Sequence, residues 1–180
     1  MNRVRVATIG FSMALLAALL GGCASPEERL AEYVENARSH LDEGDEALAQ
    51  VELRNALRID PASPDALLLQ ARLLEQREAW LPMRNTLRRL LEIRPELLDA
   101  NLMLGRLLLR AETPEDAALP IERAVELAPD EPEAWSLLAA LHYQRREYPE
   151  ARDAALRARE LAPDDLGPLQ LLANLDWAQG

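Results

Sequence analysis

Three arginines, Arg38, Arg72 and Arg106, follow one another at an interval of 34 residues, and a single cysteine, Cys23, stands near the start of a 180-residue chain. A guanidinium offers a planar fork of donors that matches a carboxylate, so arginines repeated in register suit the binding of an extended, acidic peptide. One cysteine cannot close an internal disulfide, and its role must come from its own nucleophilicity or from burial. The remaining candidates are weaker. The two histidines, His40 and His142, have no Cys or His at metal-ligand spacing, and the chain has no phosphate-binding glycine loop and no nucleophile elbow. The expectation is therefore a protein that is not an enzyme, with no catalytic residues, no metal and no cofactor.

Charge narrows the partners. Twenty basic residues against 31 acidic ones leave a net charge of −11, which excludes an electrostatic grip on nucleic acid. Every basic residue is Arg and none is Lys, a bias that a GC-rich genome explains as well as any function does. Apolar residues make up 49% of the chain and aromatics only 4%, with Leu and Ala dominant, the composition of packed helices rather than sheets. An all-α protein is expected.

The first residues read as a targeting segment. Arg3 and Arg5 precede an apolar stretch from Val6 to Leu20, broken only by Thr8, Gly10 and Ser12 and followed by Gly21 and Gly22. The uncharged run reaches membrane-spanning length only if its helix-weak glycine tail is counted, which favours a cleaved signal over a retained span. Leu20-Gly21-Gly22-Cys23 resembles the lipobox of bacterial lipoproteins. The resemblance implies a signal peptide over residues 1–22, with Cys23 as the lipidated first residue of the mature chain and 23–29 as a short tether. A soft thiol suits thioether formation with a diacylglyceryl group, and each acyl methylene adds ~0.8 kcal/mol of membrane affinity. Ala24 and Ser25 lack the aspartate at the second position that retains such lipoproteins in the inner membrane, which implies the periplasmic face of the outer membrane.

Behind that segment the chain repeats itself. LRIDPAS, LEIRPEL, VELAPDE and RELAPDD align, and their prolines, Pro61, Pro95, Pro129 and Pro163, are each 34 residues apart. This spacing resembles the tetratricopeptide repeat, with Pro at position 32. The frame gives an array over 30–180: repeats 30–63, 64–97, 98–131 and 132–165, and a half repeat 166–180. Small residues then fall at position 8 (Ala37, Ala71, Gly105, Ala139, Ala173) and, repeat 2 excepted, at positions 20 and 27 of the second helix, while position 24 is large in Leu53, Leu87 and Ile121. Position 4 carries Tyr33, Leu67, Asn101 and Trp135. Small residues let helix axes approach and large ones fill the grooves between them. The implied fold is a right-handed superhelix of helical hairpins.

Local signals agree with this frame. Ser25-Pro26-Glu27-Glu28 is a capping box with proline in the first turn, and Ser63-Pro64-Asp65 and Thr113-Pro114-Glu115 are further helix starts. Gly44 suits the sharp turn inside the first hairpin, where Glu78, Glu112 and Arg146 stand in later repeats. Met83 and Leu90 replace small residues in repeat 2, so looser packing is expected there. Pro120 lies within a helix and should kink it.

In a repeat of this kind, positions 5, 9 and 12 of the first helix face the concave groove. Position 9 is Arg38, Arg72 and Arg106; position 5 includes Leu68 and Leu102; position 12 includes Tyr143 and Trp177. The resemblance thus implies protein or peptide partners bound along an arginine strip with apolar flanks. The same arginines have a second reading, as solvating charges paired with Asp65, Asp99 and Glu133 of the following repeats. Family members that clamp C-terminal carboxylates use Lys and Asn at such positions, a pattern this chain lacks. His40 and His142 share position 11, a packing position, and are expected to be partly buried. The final helix has no successor to cover it: Leu169 and Leu172 are expected to pack inward, and Leu171 and Leu175 to lie bare, open to self-association or to a longer array.

The first repeat, from Gly44-Asp45 through Val51-Glu52-Leu53-Arg54-Asn55-Ala56-Leu57 to Asp60-Pro61, resembles the PrsT-like lipoproteins of exosortase (PEP-CTERM) systems, associated with exopolysaccharide production and protein sorting. The implied function is an outer-membrane-anchored periplasmic scaffold for an envelope assembly or export system. Two alternatives remain from related lipoproteins: an adaptor for a peptidoglycan enzyme, or a pilus secretin assembly factor.

Overall fold

The computed structural model describes Ser25 to Gln179 and folds them into nine α-helices joined by short turns. Residues 1–22 and Cys23, with the signal and lipidation readings they carry, lie outside the described residues. Four hairpins follow in order: α1 (Pro26–Asp42) with α2 (Glu46–Ile59), α3 (Pro64–Gln76) with α4 (Trp80–Ile93), α5 (Leu98–Arg110) with α6 (Pro114–Leu127), and α7 (Pro132–Gln144) with α8 (Tyr148–Leu161). A ninth helix, α9 (Leu166–Gln179), packs on α7 and α8. Each helix contacts its hairpin partner and the neighbouring hairpin, so the core is a chain of linked clusters.

Helix ends explain the regular turns. Ser25 caps α1 reciprocally: its hydroxyl accepts from Glu28 N at 3.0 Å and its own N–H donates to Glu28 Oε2 at 2.7 Å. Ser63 and Asp45 cap α3 and α2 through their side chains. α6 starts at Pro114 after Thr113 as expected, but the Thr113 hydroxyl donates backward to Leu108 O at 3.0 Å and leaves the helix without a side-chain cap. Inside every hairpin the first helix closes with the same pair of backbone bonds, illustrated by Gly44 N to Leu41 O and Asp45 N to His40 O. The residue between the helices is left-handed each time: Gly44 (φ 77°), Glu78 (53°), Glu112 (54°) and Arg146 (63°). Only the first of these turns uses the residue that adopts this conformation without strain.

The small positions let the helices approach. Ala37, Ala71 and Ala139 on the first helices, and Ala49, Ala56, Ala117, Ala124, Ala151 and Ala158 on the second, are fully buried. A Cβ built on Gly105 would meet Ile121 Cγ1 at 2.6 Å, so α5 and α6 approach too closely there for any other residue without adjustment. In repeat 2, Met83, Leu87 and Leu90 are all buried, so the bulk expected to loosen that hairpin is housed in the core. The helix α6 runs continuously through Pro120, which is itself buried.

The end of the array corrects one expectation. Leu175 is 0% exposed and sits with Leu172 in the cluster formed with α8, whereas Leu166, Leu169 and Trp177 are exposed. These three, with exposed Ala173, form a stripe at helical spacing along the side of α9 turned away from repeat 4. Ala173 at position 8 is the one small residue of its set left bare, because that position packs on a second helix.

Candidate functional site: two grooves on opposite faces

The first helices α3, α5 and α7 line a cavity of about 320 Å³ holding Arg72, Glu75, Asp99, Leu102, Arg106 and Glu133. Arg72 donates to Asp99 Oδ2 at 2.7 Å, and Arg106 lies 3.6 Å from Glu133 and 3.9 Å from Glu75. All five charged side chains are between about a third and a half exposed. The cavity is thus a lattice of alternating charge, with Leu102 and Met103 beneath it. Position 9 places arginines over the acids of the next repeat because each hairpin repeats the geometry of the last.

Of the residues expected to form a groove, the structure brings together Arg72, Arg106 and Leu102. Arg38 lies apart and pairs with Glu35 on its own helix at 3.6 Å. Leu68 packs half-buried against the main core, Tyr143 rests against Tyr148 with ring centroids 6.0 Å apart, and Trp177 is 83% exposed on α9. The expected apolar flank is largely folded inward, since Val34, Leu41, Leu102 and Leu109 are buried. The pairing with Asp99 and Glu133 holds for two of the three arginines; Asp65 takes no part in it.

Both histidines are partly buried, as their repeat position implies. His142 Nδ1 lies 2.6 Å from Glu147 Oε2, and His40 Nδ1 lies 3.8 Å from Glu43. These contacts join the end of a first helix to the turn after it. Among the described residues no group of His, Cys, Asp and Glu is placed to hold a metal ion, and no helix is long and apolar enough to cross a membrane.

A larger cavity, about 670 Å³, opens on the opposite face between α4, α5 and α6. Leu91, Pro95, Leu104, Leu108, Leu119 and Pro120 supply its apolar wall, and Arg88, Asp116 and Arg123 stand at its rim. Asn101, 3% exposed, is the uncharged polar residue in the lining. Its amide nitrogen donates to Pro95 O and Leu97 O, both at 2.9 Å. Sequence reasoning set out both causes, Asn101 at position 4 and Pro120 in the second helix, without joining them: they lie on different helices and meet only in the folded hairpin. A third cavity of about 470 Å³ lies between α2 and α3, where Arg77 is held by Glu46 at 2.8 Å.

The tetratricopeptide-repeat family profile matches residues 84–132 and 102–165. Solved structures extend the likeness of fold to most of the chain. MamA from Desulfovibrio magneticus RS-1 superposes with a TM-score of 0.78 at 20% identity, over 84% of this chain and 86% of that one. YrrB, described as a tetratricopeptide-repeat protein with an unusual peptide-binding site, gives 0.75 at 20% identity, over 82% and 76%. PilF of Pseudomonas aeruginosa gives 0.73 at 20% identity, over 86% and 70%. No curated protein sequence matches significantly. The expected fold class, an all-α array of tetratricopeptide hairpins, is the one observed.

Proposed function

We propose that this chain, tetratricopeptide in its repeats and fold, is a protein-binding scaffold that holds an extended partner segment in the groove of α3, α5 and α7 while a lipid on Cys23 keeps it at the periplasmic face of the outer membrane. The observation that carries the binding reading is the charge lattice around Leu102. Its pairs are half exposed, so exchanging Asp99 or Glu133 for a partner's carboxylate on Arg72 or Arg106 costs little, and the liberated acids receive the partner's basic groups. A segment of alternating charge fits better than the purely acidic one that three free arginines would favour.

Support for the anchor comes from the lipobox-like Leu20-Gly21-Gly22-Cys23 and from the position of α1, whose capping box starts at Ser25. So short a tether confines the array to the membrane surface and raises the effective concentration of whatever it captures. An envelope assembly or export system, of the kind served by exosortase-associated lipoproteins, is the setting that best uses such an arrangement. The anchor is tested by digesting protein extracted from its native membranes at Arg29: the reading requires an N-terminal peptide beginning at Cys23 and carrying acyl chains. An unmodified Cys23, or a peptide continuing into residues 1–22, contradicts it.

A further inference from the structure

We propose that the cavity between α4, α5 and α6 receives a tryptophan side chain from a protein partner, with the indole N–H donating to Asn101 Oδ1. This rests on the reading that the array binds protein segments, but it uses the opposite face from the charge lattice. The argument starts from a comparison between repeats. In repeat 4 the residue at position 4 is Trp135, whose Nε1–H donates to Pro129 O at 2.8 Å while its ring packs against the cluster containing Ala151, Ala154 and Ala155 of α8. In repeat 3 Asn101 makes the same contact, Nδ2 to Pro95 O at 2.9 Å, with a side chain that ends at the amide. Tyr33 fills the corresponding place in repeat 1, packed against the first cluster. The cavity therefore corresponds to the place that an aromatic ring takes in repeats 1 and 4, and that Leu67 takes in repeat 2.

Its polarity specifies the donor. Two carbonyls, Pro95 O and Leu97 O, take the amide nitrogen of Asn101 and so fix which way the amide is turned. Oδ1 accepts no hydrogen bond among the described residues, although Asn101 is only 3% exposed. Oδ1 borders the open cavity and is reached by water there, so a ligand that covers it must supply a donor in the water's place. Indole combines a flat apolar body for Leu104, Leu108 and Pro120 with a single N–H donor and no acceptor. At about 670 Å³ the cavity also holds the apolar residues beside the tryptophan, and Leu119, 77% exposed at its mouth, is placed to meet them.

The test uses the full array and amide NMR spectra, titrated with N-acetyltryptophanamide, with its N1-methylated indole analogue, and with a short peptide in which leucines flank one tryptophan. The expected result is saturable shifts at Asn101, Leu104 and Leu119, binding roughly fivefold weaker for the methylated analogue, which has lost the N–H, and at least tenfold tighter binding for the peptide. Asn101→Trp refills the cavity from within and should abolish the shifts; Asn101→Leu, which copies buried Leu67 at the same position of repeat 2, should bind both indoles equally. Shifts that persist in Asn101→Trp, the absence of shifts in the native chain, or equal affinity of the native chain for both indoles overturns the proposal. A peptide no tighter than the free amide overturns the protein source and leaves a site for a small aromatic compound. Charge reversal at Arg72 and Arg106 leaves these shifts unchanged, so failure here and failure of the concave groove are read separately.

Discussion

Arg72 and Asp99, 27 residues apart in sequence, meet at 2.7 Å across the boundary between two repeats, and both side chains remain about half exposed. A pair in this environment contributes at most about 1 kcal/mol, since water and salt screen it. Arg72→Glu together with Arg106→Glu should therefore lower the thermal midpoint by only a few degrees and leave the helical circular dichroism intact. A collapse of helicity would show that these arginines hold the repeats together rather than serve a partner.

The close approach of α5 to α6 carries the opposite expectation. With Ile121 Cγ1 2.6 Å from a Cβ on Gly105, the change Gly105→Ala overpacks a fully buried contact and should cost about 1–3 kcal/mol. Adding Ile121→Ala, which recreates the pairing of Ala139 with Ala155 in repeat 4, should make the two substitutions strongly non-additive in denaturant titrations. Simple additivity would contradict the contact.

Three hairpin turns spend a left-handed conformation on Glu78, Glu112 and Arg146. A left-handed residue other than glycine costs about 1–2 kcal/mol, against which the extra chain entropy of glycine is about 0.5–1 kcal/mol. Each change to Gly should therefore stabilise the array by about 0.5–1 kcal/mol, read as a higher denaturation midpoint. Gly44→Ala, where no atom lies within 4 Å of the added Cβ but φ is 77°, should destabilise through the backbone alone.

The two sides of α9 should respond differently. Leu175→Ala removes a fully buried side chain and should cost about 2–5 kcal/mol. Leu169→Gln with Trp177→Gln alters only exposed positions, should leave stability within about 0.5 kcal/mol, and should abolish any concentration-dependent self-association seen by analytical ultracentrifugation. Self-association unchanged by this pair would exclude the stripe as its cause.

The repeat and its hairpins were legible in the sequence because the small residues that permit close packing recur, repeat 2 excepted, at the same places in the 34-residue frame. The faces were less so. Arg72 and Arg106, both at position 9, line one cavity, but sequence spacing alone did not decide whether their partners lay in the same helix, as Glu35 does for Arg38, or in the next repeat, as Asp99 does for Arg72. On α9 Leu172 lies inward as expected, but Leu169 and Leu175 exchange sides, because apolar residues occur on both and only docking against α8 shows that Leu175 is covered and Leu169 is not. The cavity beside Asn101 escaped for a related reason: it arises from a residue smaller than its counterparts in other repeats, and a missing ring leaves no motif.

The central claim, that the groove of α3, α5 and α7 holds a partner segment, is tested most directly by a photo-crosslinking residue in place of Gln76, which is exposed and lines that groove. Irradiated in its native membranes, the chain should form a discrete adduct with another protein. The adduct should vanish when Arg72→Glu and Arg106→Glu are introduced into the same, still folded, chain. An adduct that survives both charge reversals, or none at Gln76 while a crosslinker at Glu126, which is exposed and lines the cavity between α4, α5 and α6, yields one, would contradict the account.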